Sequence, residues 1–273
     1  MTATAAKVQE VVNACATYGH QDIIVLSGVP ATGKTHISRI AAETVAGHPG
    51  FVRRTQFHPG YSYEDFMEGL RPLPTGGYQV EDGVFLQWNR MSLADPANKY
   101  VLLIEELSRA DIPSVMGELM TFIEHRSESF VLPVSQSSVE VSDSLIVIAT
   151  MNPRDRSALE IDEAMARRLR VIDCPPDIDQ LAEMLTKSLS VQDDEVAEII
   201  QKATTIFTTC ESEFPETYLS DMPFGHAIFD RVESTVQLVD LWHQRIKRIL
   251  YRSQGLTHPF ADVIDATYPW KSR

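Results

Sequence analysis

The residues with the clearest chemistry are Gly28, Val29, Pro30, Ala31, Thr32, Gly33, Lys34 and Thr35, which fit the spacing G-x-x-x-x-G-K-[ST]. An apolar run, residues 22–27, precedes them. Helical periodicity starts at Lys34, with Ile37, Ile40, Ala41 and Thr44 on one face. Glycines let a backbone wrap a phosphate with its N–H groups, and the start of a helix adds partial positive charge. Lys34 would reach the β- and γ-phosphates of a nucleotide, and Thr35 would offer its hydroxyl to Mg²⁺. His36 closes the binding stretch.

A second group of residues ends another apolar run. Tyr100 to Ile104 reads as a strand buried on both faces, and Glu105 and Glu106 follow it directly. Two adjacent carboxylates there cost solvation and repel each other. A nearby cation relieves both costs. Beside a phosphate loop, such acids manage metal and water. Glu105 is therefore expected to hold a Mg²⁺-bound water, and Glu106 to orient or deprotonate the attacking water. The plainer alternative is a pair of solvated charges where a strand stops.

Two further groups follow. Asn152, in "ATMNPRDRS" (149–157), stands where its amide can bind the attacking water or the γ-phosphate; the alternative is an Asn-Pro turn. Arg167 and Arg168, in "IDEAMARRLR" (161–170), precede a short apolar run. A guanidinium there could reach a neighbouring subunit's γ-phosphate, and Arg168 is favoured over Arg167. The alternative is a basic helix end complementing its dipole.

Strands must hold these groups in place. Runs 22–27, 51–57, 100–104, 144–150 and 169–173 read as strands. Helices are expected over 5–17 and 34–46, near 63–69, and along Ile112, Val115, Leu119 and Phe122. Hairpins are expected around "TGGYQVEDG" and across "SFVLPV" and "SVEVS". Strands alternating with helices argue a parallel α/β sheet. After "CPPDID" (174–179) only helical patterns follow, over 178–189, 193–209 and 226–251. The expected layout is an α/β domain over 1–175, a small all-helical domain over 176–253 and a tail over 254–273.

The sequence has 273 residues and is 44% hydrophobic, enough for a sizeable core. No run is long enough to suggest a transmembrane helix, and the first twenty residues lack a leader pattern. The cysteines, Cys15, Cys174 and Cys210, make no metal or redox spacing. Reduced thiols and a cytoplasmic location are expected. A net charge of −14 argues against a broad, non-specific grip on nucleic acid.

Phosphate loop, acidic strand end, strand-end Asn and late arginine pair, followed by helices, resemble an AAA+ NTPase. Within that class, "QFHPGYSYEDFMEGLRP" (56–72), "EELSRADIPSVMGELMTFIE" (105–124), "MNPRDRS" (151–157) and "FGHAIF" (224–229) resemble the McrB-like branch, related to MoxR proteins. The resemblance spans about residues 20–230. It implies a P-loop AAA+ five-stranded parallel sheet with flanking helices and a helical lid domain. It also places His226 where many AAA+ proteins carry a nucleotide-sensing arginine.

Three departures stand out. The first acid is Glu105 where Asp is common, so the metal shell must shift and hydrolysis is expected to be slow. Pro153 and Arg154 replace the Thr-Ala of "MNTADRS". Ala166 and Leu169 flank the arginine pair where an Arg and a Phe are typical. Tyr61, Tyr63 and Phe66 follow the second strand, a connection that often faces the pore of AAA+ rings. Packing on their own domain is the favoured reading.

The resemblance implies an NTPase using Mg²⁺ and ATP or GTP that forms a homo-oligomeric, hexamer-type ring, and the departures in "MNPRDRS" tip the expectation slightly to ATP. It would couple hydrolysis to remodelling or regulating a partner, as the motor subunit of a restriction or defence system with a separate effector or nuclease-type subunit. Two alternatives remain beside it: a nucleotide-gated scaffold with little hydrolysis, and a nucleic-acid translocase in direct contact with its strand. No membrane role is expected.

Overall fold

The computed structural model describes residues 2–155, 161, 163–188, 194–213 and 222–254. In chain order the first elements are α1 (Ala3–Tyr18), β1 (Ile23–Ser27), α2 (Lys34–Ala46), β2 (Val52–Gln56), α3 (Tyr63–Phe66), β3 (Glu68–Pro72), β4 (Tyr78–Asp82) and α4 (Val84–Ala94). Next come β5 (Tyr100–Glu105), α5 (Ile112–Met116), α6 (Leu119–Phe122), β6 (Phe130–Val131), β7 (Ser138–Val139), β8 (Leu145–Met151), α7 (Glu163–Ala166) and β9 (Leu169–Asp173). The helical part holds α8 (Ile178–Ser188), α9 (Asp194–Glu213), a 3₁₀ turn (His226–Phe229), α10 (Thr235–Leu241), a π turn (Trp242–Ile246) and α11 (Lys247–Gln254).

Five strands form one parallel sheet in the order β2-β5-β8-β1-β9. Each lies within one residue of the sequence reading. Of the three interior strands, β1 and β8 are buried along their whole length and β5 up to Glu105, which explains their unbroken apolar runs. The edge strand β2 exposes Arg53 and Arg54, charges that discourage pairing with another sheet. Both expected hairpins are present, β3 with β4 and β6 with β7. Glu68 ties them together: its buried carboxylate accepts the N–H groups of Val134 (2.8 Å) and Ser135 (3.1 Å).

Two expectations need correction, and one helix was not expected. The helix read along Ile112 to Phe122 is two pieces, α5 and α6, parted at Gly117. That residue has φ +49°, and a Cβ there would come 2.7 Å from the Tyr63 ring. The helix α4 escaped sequence reading because polar side chains occupy its inner face. Buried Asn89 bridges the Glu140 carbonyl and the Ser142 N–H, both at 2.8 Å, and Ser92 meets the Ser142 hydroxyl. The single helix expected over 226–251 is a 3₁₀ turn followed by a new helix, which Ser234 caps by accepting from the Gln237 N–H.

Two compact units emerge. One holds Ala5–Ser27 and Lys34–Asp173, with a core that includes Val25, Phe66, Phe85, Ile104 and Val147. The other holds the described residues from Cys174 onward, together with Gly28–Gly33 and the first residues through Thr4. Its core includes Leu185, Ile199, Phe207, Phe229 and Trp242. The tail read over 254–273 lies, but for Gln254, outside the described residues. Among the described residues no helix is long and apolar enough to cross a membrane.

In the sheet unit, buried Arg126 acts as a hub. Its guanidinium donates to the carbonyls of Ser142 and Leu145, both at 2.6 Å, and of Gly19 at 3.0 Å. Burial pushes its pKa down to about 10, so it is charged at pH 7. Replacing it strips three buried carbonyls of a charged donor. We expect Arg126→Met to destabilise the protein by about 3 kcal/mol or more, seen as a lower urea midpoint. An unchanged midpoint would refute the hub.

Candidate functional site

The loop Gly28–Gly33 follows β1 and leads into α2. Gly33 has φ +77°, and Ala31 also takes a left-handed conformation at φ +66°. Such a turn at a non-glycine residue persists only where its surroundings hold it. Here the hold is backbone to backbone. The N–H groups of Gly225 and Ala227, in "FGHAIF", donate to the carbonyls of Pro30 and Ala31, each at 2.8 Å. The Thr32 hydroxyl donates to the Val29 carbonyl at 3.1 Å. Close approach fixes two glycines. A Cβ on Gly225 would lie 2.3 Å from the Ala31 oxygen, and one on Gly28 would lie 2.2 Å from the Cys174 oxygen.

His226, between the two clamping residues, is buried, and its Nδ1 has no hydrogen-bond partner among the described residues. Burial lowers its pKa to about 4 despite the opposing field of Asp177. It is neutral at pH 7 and brings no positive charge of the kind a sensing arginine would. In this segment the backbone on either side of the imidazole holds the loop.

In the sheet unit, Lys34 opens α2 and is buried, with Thr35 and His36 in the same first turn. One turn on from Thr35, Arg39 donates to Glu105 through both Nε (3.0 Å) and a terminal nitrogen (2.8 Å), both to Oε1. Glu105 ends β5. At Glu106 the chain turns left-handed, with φ +57° and ψ +47°. Its N–H donates to the Thr150 hydroxyl of β8 at 3.1 Å, and its carboxylate accepts from Arg109 at 3.1 Å. That anchor is a candidate strained site of the kind found where a side chain must be aimed.

Asn152 follows β8. Its side-chain N–H₂ donates to Asp155 (3.0 Å), and the Ser108 hydroxyl donates to the other Asp155 oxygen (2.7 Å). The Asn152 Oδ1 accepts from the Arg154 N–H (3.1 Å). Parallel pairing of β5 with β8 therefore brings Glu105, Glu106 and Asn152 to one end of the sheet. Arg168 pairs with Glu124 at 3.0 Å and is largely covered, whereas Arg167 is exposed. Residues 156 and 157 of "MNPRDRS" lie outside the described residues.

The aromatic residues after β2 pack on their own domain. Phe57 stacks on Tyr61 and meets Phe66 edge-on, the Tyr61 hydroxyl bonds the Thr55 hydroxyl, and the Tyr63 hydroxyl donates to Glu118. Sequence reading missed Arg39, Thr150, Ser108 and Asp155. Of these, only Arg39 left a signal, its place one helical turn after Thr35.

The residues fit Mg²⁺. Thr35 and Glu105 offer hard oxygens, and with Oε1 engaged by Arg39 the second Glu105 oxygen has no hydrogen-bond partner among the described residues. No cluster of three or more His, Cys, Asp and Glu side chains suited to a metal occurs among the described residues. Mg²⁺ commonly takes only one or two protein oxygens and completes its shell with phosphates and water.

Comparison with known proteins agrees with this geometry. The chain is 36% identical over 165 residues to the type IV methyl-directed restriction enzyme EcoKMcrB subunit of Escherichia coli (strain K12), covering 57% of this chain and 36% of that one. It is 23% identical over 186 residues to the type II restriction enzyme BsuMI component YdiS of Bacillus subtilis (strain 168), covering 53% and 54%. The chain thus spans between a third and somewhat over half of the length of these relatives. Residues 23–169 match the AAA domain of the dynein-related subfamily, a stretch that runs from β1 to the start of β9. With that match over more than half its length, and with the loop, acids and strand order that such a domain requires, this chain belongs to the AAA domain family, dynein-related subfamily.

Proposed function

We propose that this chain is a nucleoside triphosphatase that works as the nucleotide-driven subunit of a restriction or defence assembly. The single observation that carries the reading is the grouping, within the sheet unit, of Lys34 and Thr35 at the start of α2, the acid pair after β5 and Asn152 after β8, with Arg39 of α2 bonded to Glu105. The family match and the likeness to subunits of restriction enzymes support it.

The chemistry is in-line displacement. Water attacks the γ-phosphorus, the bond to the β-bridging oxygen breaks, and the water proton passes to Glu106. Asn152 orients the water or a γ-oxygen, itself held by Asp155. Lys34 and the loop N–H groups neutralise phosphate charge, with His36 beside them, and the Gly225–Ala227 backbone keeps the loop in shape. Thr35 and Glu105 would hold Mg²⁺, which when bound supplies charge neutralisation across the β- and γ-phosphates.

ATP is preferred slightly over GTP, because Pro153 and Arg154 depart from the McrB-like pattern. Parallel titrations with the two nucleotides decide it. The assembly is a homo-oligomeric ring with a separate nuclease-type partner, and cross-linking with the products of neighbouring genes tests both. The sequence charge of −14 favours target contact through that partner over direct contact.

Lys34→Ala tests the binding half. Losing a buried charge-assisted partner costs about 2–5 kcal/mol, so nucleotide affinity should fall on the order of 10²-fold. Equal affinity in the variant would remove the phosphate-loop assignment.

A further inference from the structure

Glu105 is one methylene longer than the aspartate common at its position, and a longer side chain has one more torsion to fix. The structure shows what fixes it. Arg39 sends two N–H groups, from Nε and a terminal nitrogen, to the single oxygen Oε1 at 3.0 and 2.8 Å. Oε2 has no hydrogen-bond partner among the described residues. Arg39 lies one helical turn beyond Thr35, so the residue that would ligate Mg²⁺ and the residue that grips Glu105 share one face of α2. The Glu105 side chain is 15% exposed and that of Arg39 44%. A half-exposed ion pair contributes little to stability. Its geometry points to orientation instead, because two donors from one rigid guanidinium converge on Oε1 and fix where that oxygen sits, which a single freely rotating ammonium does not do.

We propose that Arg39 is a positioning residue for the metal: it pins Oε1 of Glu105 so that Oε2 is presented to a Mg²⁺-bound water beside Thr35. The proposal rests on the reading of Glu105 as a metal-site residue. It also explains how glutamate serves there. Shortening the side chain to aspartate would draw the carboxylate away from Arg39, so this pair and this length belong together.

The test measures Mg²⁺ dependence of binding, not turnover. Fluorescently labelled ATP, or GTP if the parent prefers it, is bound to the full chain in EDTA and then titrated with Mg²⁺. For Arg39→Met the half-saturating Mg²⁺ should rise about 10-fold, the low end of the loss in metal affinity when a group that orients a metal ligand is removed. Metal-free affinity should stay at the parental value. Arg39→Lys should recover part of the shift, since it restores the charge without the fork. In a Glu105→Gln background, Arg39→Met should add nothing.

An unchanged or lower half-saturating Mg²⁺ in Arg39→Met, with the requirement raised in Glu105→Gln, would overturn the role of Arg39 and leave the metal reading standing. No shift in Glu105→Gln itself would overturn the metal reading and this inference with it. A thermal melt of each variant accompanies the titration. A shift confined to variants with a lowered melting temperature and no recovery in Arg39→Lys would count against positioning.

Discussion

Arg167→Ala should lower turnover by roughly 10³-fold or more while nucleotide stays bound, the scale known for an arginine supplied in trans to a transferring phosphoryl group. The sequence alone favoured Arg168. In the structure Arg168 is largely covered and paired with Glu124, whereas Arg167, in the turn between α7 and β9, is exposed. A residue that serves a neighbour's site must reach away from its own domain, and on that ground we propose Arg167 for the role. Arg168→Ala should instead leave Glu124 without its partner and weaken the packing around α6, with a smaller effect on rate. Mixing gives the sharper readout. Arg167→Ala and Glu106→Gln, each nearly inactive alone, should recover activity together, because a mixed interface regains both groups. Full turnover by a demonstrably monomeric sample, or no recovery in a mixed assembly shown to form, would exclude a trans arginine.

Glu106→Gln should lower turnover by roughly 10²-fold or more with triphosphate retained, the cost of losing a general base. Glutamine keeps the shape and can still accept from Arg109, so binding has no reason to change. The left-handed turn and the bond from the Glu106 N–H to the Thr150 hydroxyl fix the backbone from which this side chain departs. A second variant tests that anchor. Thr150→Val removes the acceptor and should reduce turnover less than Glu106→Gln does, again with binding intact. Unaltered single-turnover rates in Glu106→Gln would sink its role as base.

How much of the molecule was legible in the sequence depended on the range of the interaction. The five strands were readable because burial on both faces writes an unbroken apolar run, and the phosphate loop because its glycines and lysine are contiguous. The partners that aim the site were not. Arg39 and Glu105 are far apart in the chain, as are Arg168 and Glu124, and charges on a helix face look alike until a fold selects one pair. The clamp on the phosphate loop was hidden for another reason. It is made by the backbone of Gly225 and Ala227, and main-chain groups leave no mark in residue type beyond the glycine that close approach demands. The helix α4 was missed because Asn89 and Ser92 stand on a buried face that sequence patterns read as polar.

The strand order has a consequence for synthesis. β1 is made before every other strand of the sheet, yet both of its neighbours, β8 and β9, are the last two to be made. Until residue Asp173 has emerged, this fully buried strand has an open edge on one or both sides. Pairings this distant in sequence form slowly and leave nascent chains prone to mispairing. The nucleotide loop is thus translated early but gains its full setting late, only after "FGHAIF" has followed. Chains cut short before that segment would carry the phosphate-binding signature without the means to hold its shape.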